Sequence, residues 1–289
     1  MLKKLIKYEF RTTGKTMLPL FGAALILAGT TKLFLTVGYL MLRNAPDFVF
    51  GNNFLRGVGM LFTVLTVFAL IALMMVVFIN SALRFYKNLL GDEGYLMFTL
   101  PATAGQHVFS KLIVSLCWTV GGILFSVGVA LLLSGGVVAV TTITSNGTTS
   151  ISFGAMLQQY AESGLGNGVY WIIPLLVLLV FVGITCQYLM LYLAMAIGAQ
   201  WPNNRLPASI GAYLGIGFIL QICMFFGMLI VGFIGMQTSW FAEMAQFMIN
   251  NPMAAANTMF GIVAVGAVLC SLLFFFVTRW LLSKKLNLA

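Results

Sequence analysis

Six stretches of this chain are long, apolar and nearly free of charge: Met17–Leu42, Gly57–Leu83, Leu112–Val140, Val169–Ile197, Leu206–Gly235 and Met259–Leu282. Each exceeds the ~20 residues a helix needs to cross ~30 Å of hydrocarbon. Lys32 and Arg279 are the only charged residues inside them. Across the chain, 61% of residues are hydrophobic and 7% charged, against about 25% charged in soluble domains. A surface so poor in charge belongs in lipid. Open sheets leave unpaired edges there, and the alternation of a barrel strand is absent, so the spans are expected to be helices. The expected fold is an all-α integral membrane domain over residues 1–289, with six transmembrane helices.

Lys and Arg orient it. With the N-terminus inside, Lys3, Lys4, Lys7, Arg11, Lys15, Arg84, Lys87, Lys111, Arg205, Arg279, Lys284 and Lys285 face the cytosol, and only Arg43 and Arg56 lie outside. Basic residues collect on the cytosolic side of membrane proteins, so both termini are expected there. The same rule accounts for the net charge of +9 without nucleic acid as a partner. Residues 1–15 form an amphipathic pattern, with Leu2, Leu5, Ile6 and Phe10 on one side and Lys3, Lys4, Lys7 and Arg11 on the other. This suits a helix lying in the inner interface against anionic headgroups of the bilayer. Glu9 falls on the apolar side, where it is expected either to snorkel to water or to pair with a base such as Arg84 or Lys87.

Two outer loops are long enough to hold structure. Ser145–Gly168 is polar, with a short helix expected around Phe153–Ala161. Residues 238–257 are apolar and aromatic, break at Asn251-Pro252, and are expected to form a re-entrant or interfacial helix pair.

Catalytic and coupling chemistry is sparse. Gly14-Lys15-Thr16 matches the tail of a phosphate-binding loop, but Glu9 stands where the loop needs its first glycine and no strand precedes it. The single histidine, His107, lies near the inner end of the third span, and none of the six acids (Glu9, Asp47, Asp92, Glu93, Glu162, Glu243) sits in a span core. No paired carboxylates, metal-ligand spacing or nucleophile–base set is present, which argues against an enzyme. The same scarcity argues against proton- or sodium-coupled transport, which places ionisable groups near the midplane. Only Lys32 qualifies there. It is either a pathway or gating contact, or a residue snorkelling near the outer end of a span that could end earlier than drawn. Cys117, Cys186, Cys223 and Cys270 fall in apolar runs and are expected to act as small buried hydrophobes. Gly211 and Gly215 form a GxxxG that serves either packing within the chain or a seam between two copies.

The polar insert 84–111 remains. The second helix is expected to run past Leu83 to Leu90, with Gly91 as its stop. Asp92 can cap a short helix through Glu93, Gly94, Tyr95, Leu96 and Met97. Pro101 prevents continuation, and Thr103 and Gln106 have the spacing of a capping box that starts the third helix. The tip would show Tyr95, Leu96, Phe98 and Leu100 beside Asp92 and Glu93, a mix suited to a protein contact.

The string YKNLLGDEGYLMFTLP, followed by SKL, resembles the signature loop of bacterial type 2 ABC exporter permeases. The start KYEFR, the six spans and the segment before the sixth span are similar to that family too. The resemblance implies that Asp92, Glu93, Gly94, Tyr95, Leu100 and Pro101 form a cytosolic coupling helix that docks on a separate ABC-type ATP-binding subunit. It also implies a working transporter of two permeases, this chain with a second copy or a similar permease, in the bacterial plasma membrane. ATP and Mg would belong to the partner, with no cofactor in this chain. The cargo expected for a nearly uncharged pathway is amphipathic or hydrophobic: a peptide, lipid or drug-like compound. A nucleotide-independent channel or secondary carrier, and a non-transporting immunity or sensor subunit, are the alternatives.

Overall fold

A computed structural model describes residues 2–44, 49–90, 103–134, 139–144, 147–152, 166–201, 204–237 and 239–284. Its helices are α1 (Leu2–Asn44), α2 (Val49–Phe85) continued by a π-helical turn (Tyr86–Leu90), α3 (Ala104–Leu133), α4 (Gly166–Gly198), α5 (Arg205–Gln237), α6 (Trp240–Asn250) and α7 (Pro252–Lys284). Six of these are long and apolar enough to cross a membrane. All six expected spans fall on them. The chain divides into two compact units, one of residues Met1–Leu83 with Ile113–Gly154, the other of Arg84–Leu112 with Ala155–Ala289.

Within the first unit, α1 packs on α2 and α3 through a few polar contacts set among aromatic rings. The hydroxyls of Thr31 and Thr66 lie 2.7 Å apart, and Thr31 also reaches the Phe62 carbonyl at 3.2 Å. Both threonines are almost fully buried. Hydroxyl bonds of this kind hold helices together where lipid removes the hydrophobic drive for association. Phe34 stacks on Phe62 one turn away, with centroids 4.9 Å apart. Nearer the N-terminus, the Trp118 indole donates to Thr13 Oγ1 at 2.8 Å, and Phe10 and Phe21 flank the indole.

Three expectations are corrected in this unit. Residues 1–15 are not a separate element: α1 is one helix of 43 residues with Pro19 inside it, about 65 Å long at 1.5 Å per residue. Its basic side is exposed as expected. Glu9 is buried at 3%, which removes the snorkelling alternative and leaves the pairing one, because the face it occupies meets protein. Thr13, one turn on, carries the Trp118 bond and also donates to the Glu9 carbonyl at 2.8 Å. Third, α3 ends at Leu133 rather than at Val140. The run AVTTIT (Ala139–Thr144) pairs antiparallel with GTTSIS (Gly147–Ser152) as strands β1 and β2. Gly135-Gly136 weakens the helix, and β-branched side chains favour a strand. The spans are helical as expected, and this hairpin adds to them. Lys32 lies inside α1, which continues to Asn44.

In the second unit α4 is the central helix, packing along both α5 and α7. Its residues Tyr188–Ala194 are buried continuously. At its end Gly198 meets the start of α5 so closely that a Cβ there would lie 2.6 Å from Ser209 Cα. By contrast, residues 221–231 of α5 are exposed on every side, with Met228 at 80%. An apolar helix bare all round requires lipid or another protein around it.

The expected break at Asn251-Pro252 is present. It separates the eleven-residue α6 from α7. The expected helix pair is corrected, however, because the segment after Pro252 forms the first turns of α7 itself. Proline fits a first helical turn, where its missing N–H costs nothing. The helix expected around Phe153–Ala161 lies outside the described residues. The cysteines are free, but they depart from the expected burial: Cys117 and Cys223 are exposed and Cys186 and Cys270 only partly covered.

Candidate functional site

The insert between the second and third spans is held at both ends by the second unit. On the outgoing side, Phe85 is fully buried and stacks on Tyr192 with centroids 4.1 Å apart and an interplanar angle of 7°. The π turn follows at once. Phe85 and Leu90 are five residues apart, and both are at most 2% exposed. An α-helix would turn residues with that spacing apart, whereas an i→i+5 turn brings them to one side. The helix end then needs acceptors satisfied. Arg205 Nη1 donates to the Leu90 carbonyl at 3.1 Å, placing a cation on the negative end of the helix dipole.

On the returning side the expected capping box is formed reciprocally. Gln106 N–H donates to Thr103 Oγ1 at 3.4 Å, and Thr103 N–H donates to Gln106 Oε1 at 3.3 Å. Arg279 lies over Gly105, where a Cβ would come within 3.2 Å of its Cδ. The next two turns are deeply set. His107, Val108, Ser110, Lys111 and Leu112 are each 5% exposed or less, and Ser110 Oγ donates to the His107 carbonyl at 2.9 Å. Thr103→Ala should therefore cost about 1 kcal/mol, the usual value of an N-cap. Hydrogen exchange should show it as faster exchange confined to the first turn of α3.

Asp92, Glu93, Gly94, Tyr95, Leu100 and Pro101 lie outside the described residues. What the structure describes is their two attachment points, Leu90 and Thr103. Lys32 belongs to the first unit, where its Nζ donates to the Leu133 carbonyl at 3.4 Å, the last residue of α3. It thus caps a helix end, as Arg205 does in the second unit. Gly211 and Gly215 belong to the second unit, and a Cβ on either would meet nothing within 4 Å. Among the described residues, neither is a close-packing position. The Phe85–Tyr192 stack, the Arg205 cap and the burial of His107 and Lys111 were not anticipated. Arg205 and Lys111 read in sequence only as topological charges, and no local spacing links Phe85 to Tyr192.

Among the described residues, no three His, Cys, Asp or Glu side chains gather in a way that could hold a metal. No family model, curated protein or solved structure matches this chain.

Proposed function

We propose that this chain is the membrane-spanning permease subunit of an ATP-driven exporter of the type 2 ABC kind, in a bacterial plasma membrane with both termini cytosolic. A separate ATPase subunit grips residues 92–101, and nucleotide turnover in that partner moves the spans. Two permeases, this chain with a second copy or a similar chain, carry an amphipathic or hydrophobic cargo between them. The observation that best supports this is the anchoring of the insert. A segment used as a lever must be fixed to the body it moves, and here one end is stacked and charge-capped while the other is helix-capped. The loop string that resembles the permease signature lies between those two anchors. The bare apolar α5 fits a chain that works inside lipid or against a second permease.

The test is to co-express the chain with an ATPase encoded beside it and replace Glu93 or Tyr95 with Ala. Each change should reduce co-purified ATPase about ten-fold or more, the loss expected of an interface anchor worth at least ~1.4 kcal/mol. The chain's own unfolding midpoint should not move. If ATPase association and transport-coupled turnover both stay at wild-type level, the assignment fails.

A further inference from the structure

The second unit carries a groove with a cavity volume of about 320 Å³ between α3, α4 and α7, at the lower end of the ~300–1,000 Å³ typical of small-molecule sites. Phe109 and Leu112 of α3, Phe181 and Leu189 of α4, and Leu272 and Phe275 of α7 line it. The hydrogens of its two hydroxyl residues are already used within their own helices. Thr185 donates to the Phe181 carbonyl at 2.8 Å and Ser271 to the Ala267 carbonyl at 2.7 Å. The occupant of such a groove must be hydrocarbon along this stretch.

Among the described residues, the charge that adjoins the lining faces lies at one end. On α7, Leu272, Phe275 and Arg279 follow at i, i+3 and i+7, so they share one face. On α3, Gly105, Phe109 and Leu112 follow at i, i+4 and i+7 and likewise share a face. Arg279 lies over Gly105, so the two faces that line the groove converge on this guanidinium. It is exposed, and it stands one helical turn, about 6 Å, beyond Phe275. Trp280 beside it is 46% exposed, and tryptophan is enriched at headgroup level. The charge rule assigns this end to the cytosolic leaflet, where anionic lipids reside.

We infer that the groove is a binding site for one anionic phospholipid of the inner leaflet, with an acyl chain between α3, α4 and α7 and the headgroup phosphate on Arg279. A hydrocarbon-only trough that ends on an exposed arginine is complementary to that molecule. An apolar helix of a second copy would fill the trough and leave the arginine without an anion. The inference goes beyond the proposed function and holds whether or not an ATPase partner exists.

The test uses the full chain purified in detergent and exposed to phosphatidylglycerol or phosphatidylcholine with the same oleoyl chains, with bound lipid counted by native mass spectrometry. Wild type should retain phosphatidylglycerol about five-fold better, the preference one arginine confers toward anionic lipid. Arg279→Ala should bring that ratio to within about two-fold, and Arg279→Lys should keep most of it. Leu272→Trp, which fills the trough, should lose both lipids. Circular dichroism should show unchanged helix content in all three variants, and the two Arg279 variants carry the test alone if Leu272→Trp does not fold. The inference is overturned if wild type shows no preference, if Arg279→Ala preserves it, or if a folded Leu272→Trp keeps its lipid. It is equally overturned if Leu272→Trp converts a dimer to a monomer, which would make the occupant a second copy.

Discussion

Phe85→Ala should lower the unfolding midpoint of the purified chain by about 6–12 °C in a fluorescence-monitored melt. The ring is fully buried and lies flat on Tyr192 at 4.1 Å. Phenylalanine-to-alanine changes in cores cost about 3–5 kcal/mol. The lower figure applies here, because lipid tails solvate apolar surface nearly as well as protein does, leaving lost packing and the cavity as the main terms. At roughly 2–4 °C per kcal/mol for a chain of this size, about 3 kcal/mol gives the stated shift. Phe85→Leu, which keeps most of the volume, should lose about a third as much. A shift under about 2 °C for the alanine variant would mean that the stack does not anchor the outgoing helix. The proposed function adds a consequence: coupling to the ATPase should weaken together with the anchor, although Phe85 is outside the segment proposed to be gripped.

Gly198→Ala should be the most damaging single-methyl addition among the described glycines. The added carbon would fall 2.6 Å from Ser209 Cα, on main chain that cannot swing aside. Overpacking of this kind costs about 1–3 kcal/mol and sometimes more, and here the upper part of that range is expected. Two comparisons make the outcome specific. At Gly122 the nearest atom to a Cβ is Met74 Sδ at 2.8 Å, a thioether that can move, so alanine should cost less than about 1 kcal/mol. At Gly211 nothing lies within 4 Å, and alanine should be neutral or slightly stabilising through helix propensity. Equal midpoints for the Gly198 and Gly211 variants would contradict the close approach of α4 and α5.

Much of the helix layout could be read in sequence, because lipid admits few alternatives for long apolar runs. The local signals also served well: the capping box at Thr103 and Gln106, the continuation of the second helix to Leu90, and the break at Asn251-Pro252. The errors arose where a local pattern had two physical meanings. Ala139 and Val140 are apolar enough to extend a span, yet they open the β-branched run Ala139–Thr144 that pairs as a strand. Glu9 lies on the apolar side of its helix, and spacing alone does not tell a side that meets lipid from one that meets protein, as this one does beside Thr13 and Trp118. Lys32 was weighed as a pathway or snorkelling residue, since the carbonyl it reaches lies about a hundred residues away, at Leu133. The same holds for Arg205 and Leu90, 115 residues apart. Contacts at such separations depend on how the helices assemble, and no window of sequence contains them.

The π turn at Tyr86–Leu90 also acts as a rotational setting. Taking one residue more than an α-helical turn, it offsets everything after it by about 100° around the helix axis. The compass direction in which the chain departs at Leu90 is therefore fixed by a single residue, independently of side-chain chemistry. A one-residue deletion there would keep almost the same composition and re-aim the insert by more than a quarter of a revolution. Length at this point is as much a determinant of where the insert faces as any residue within it.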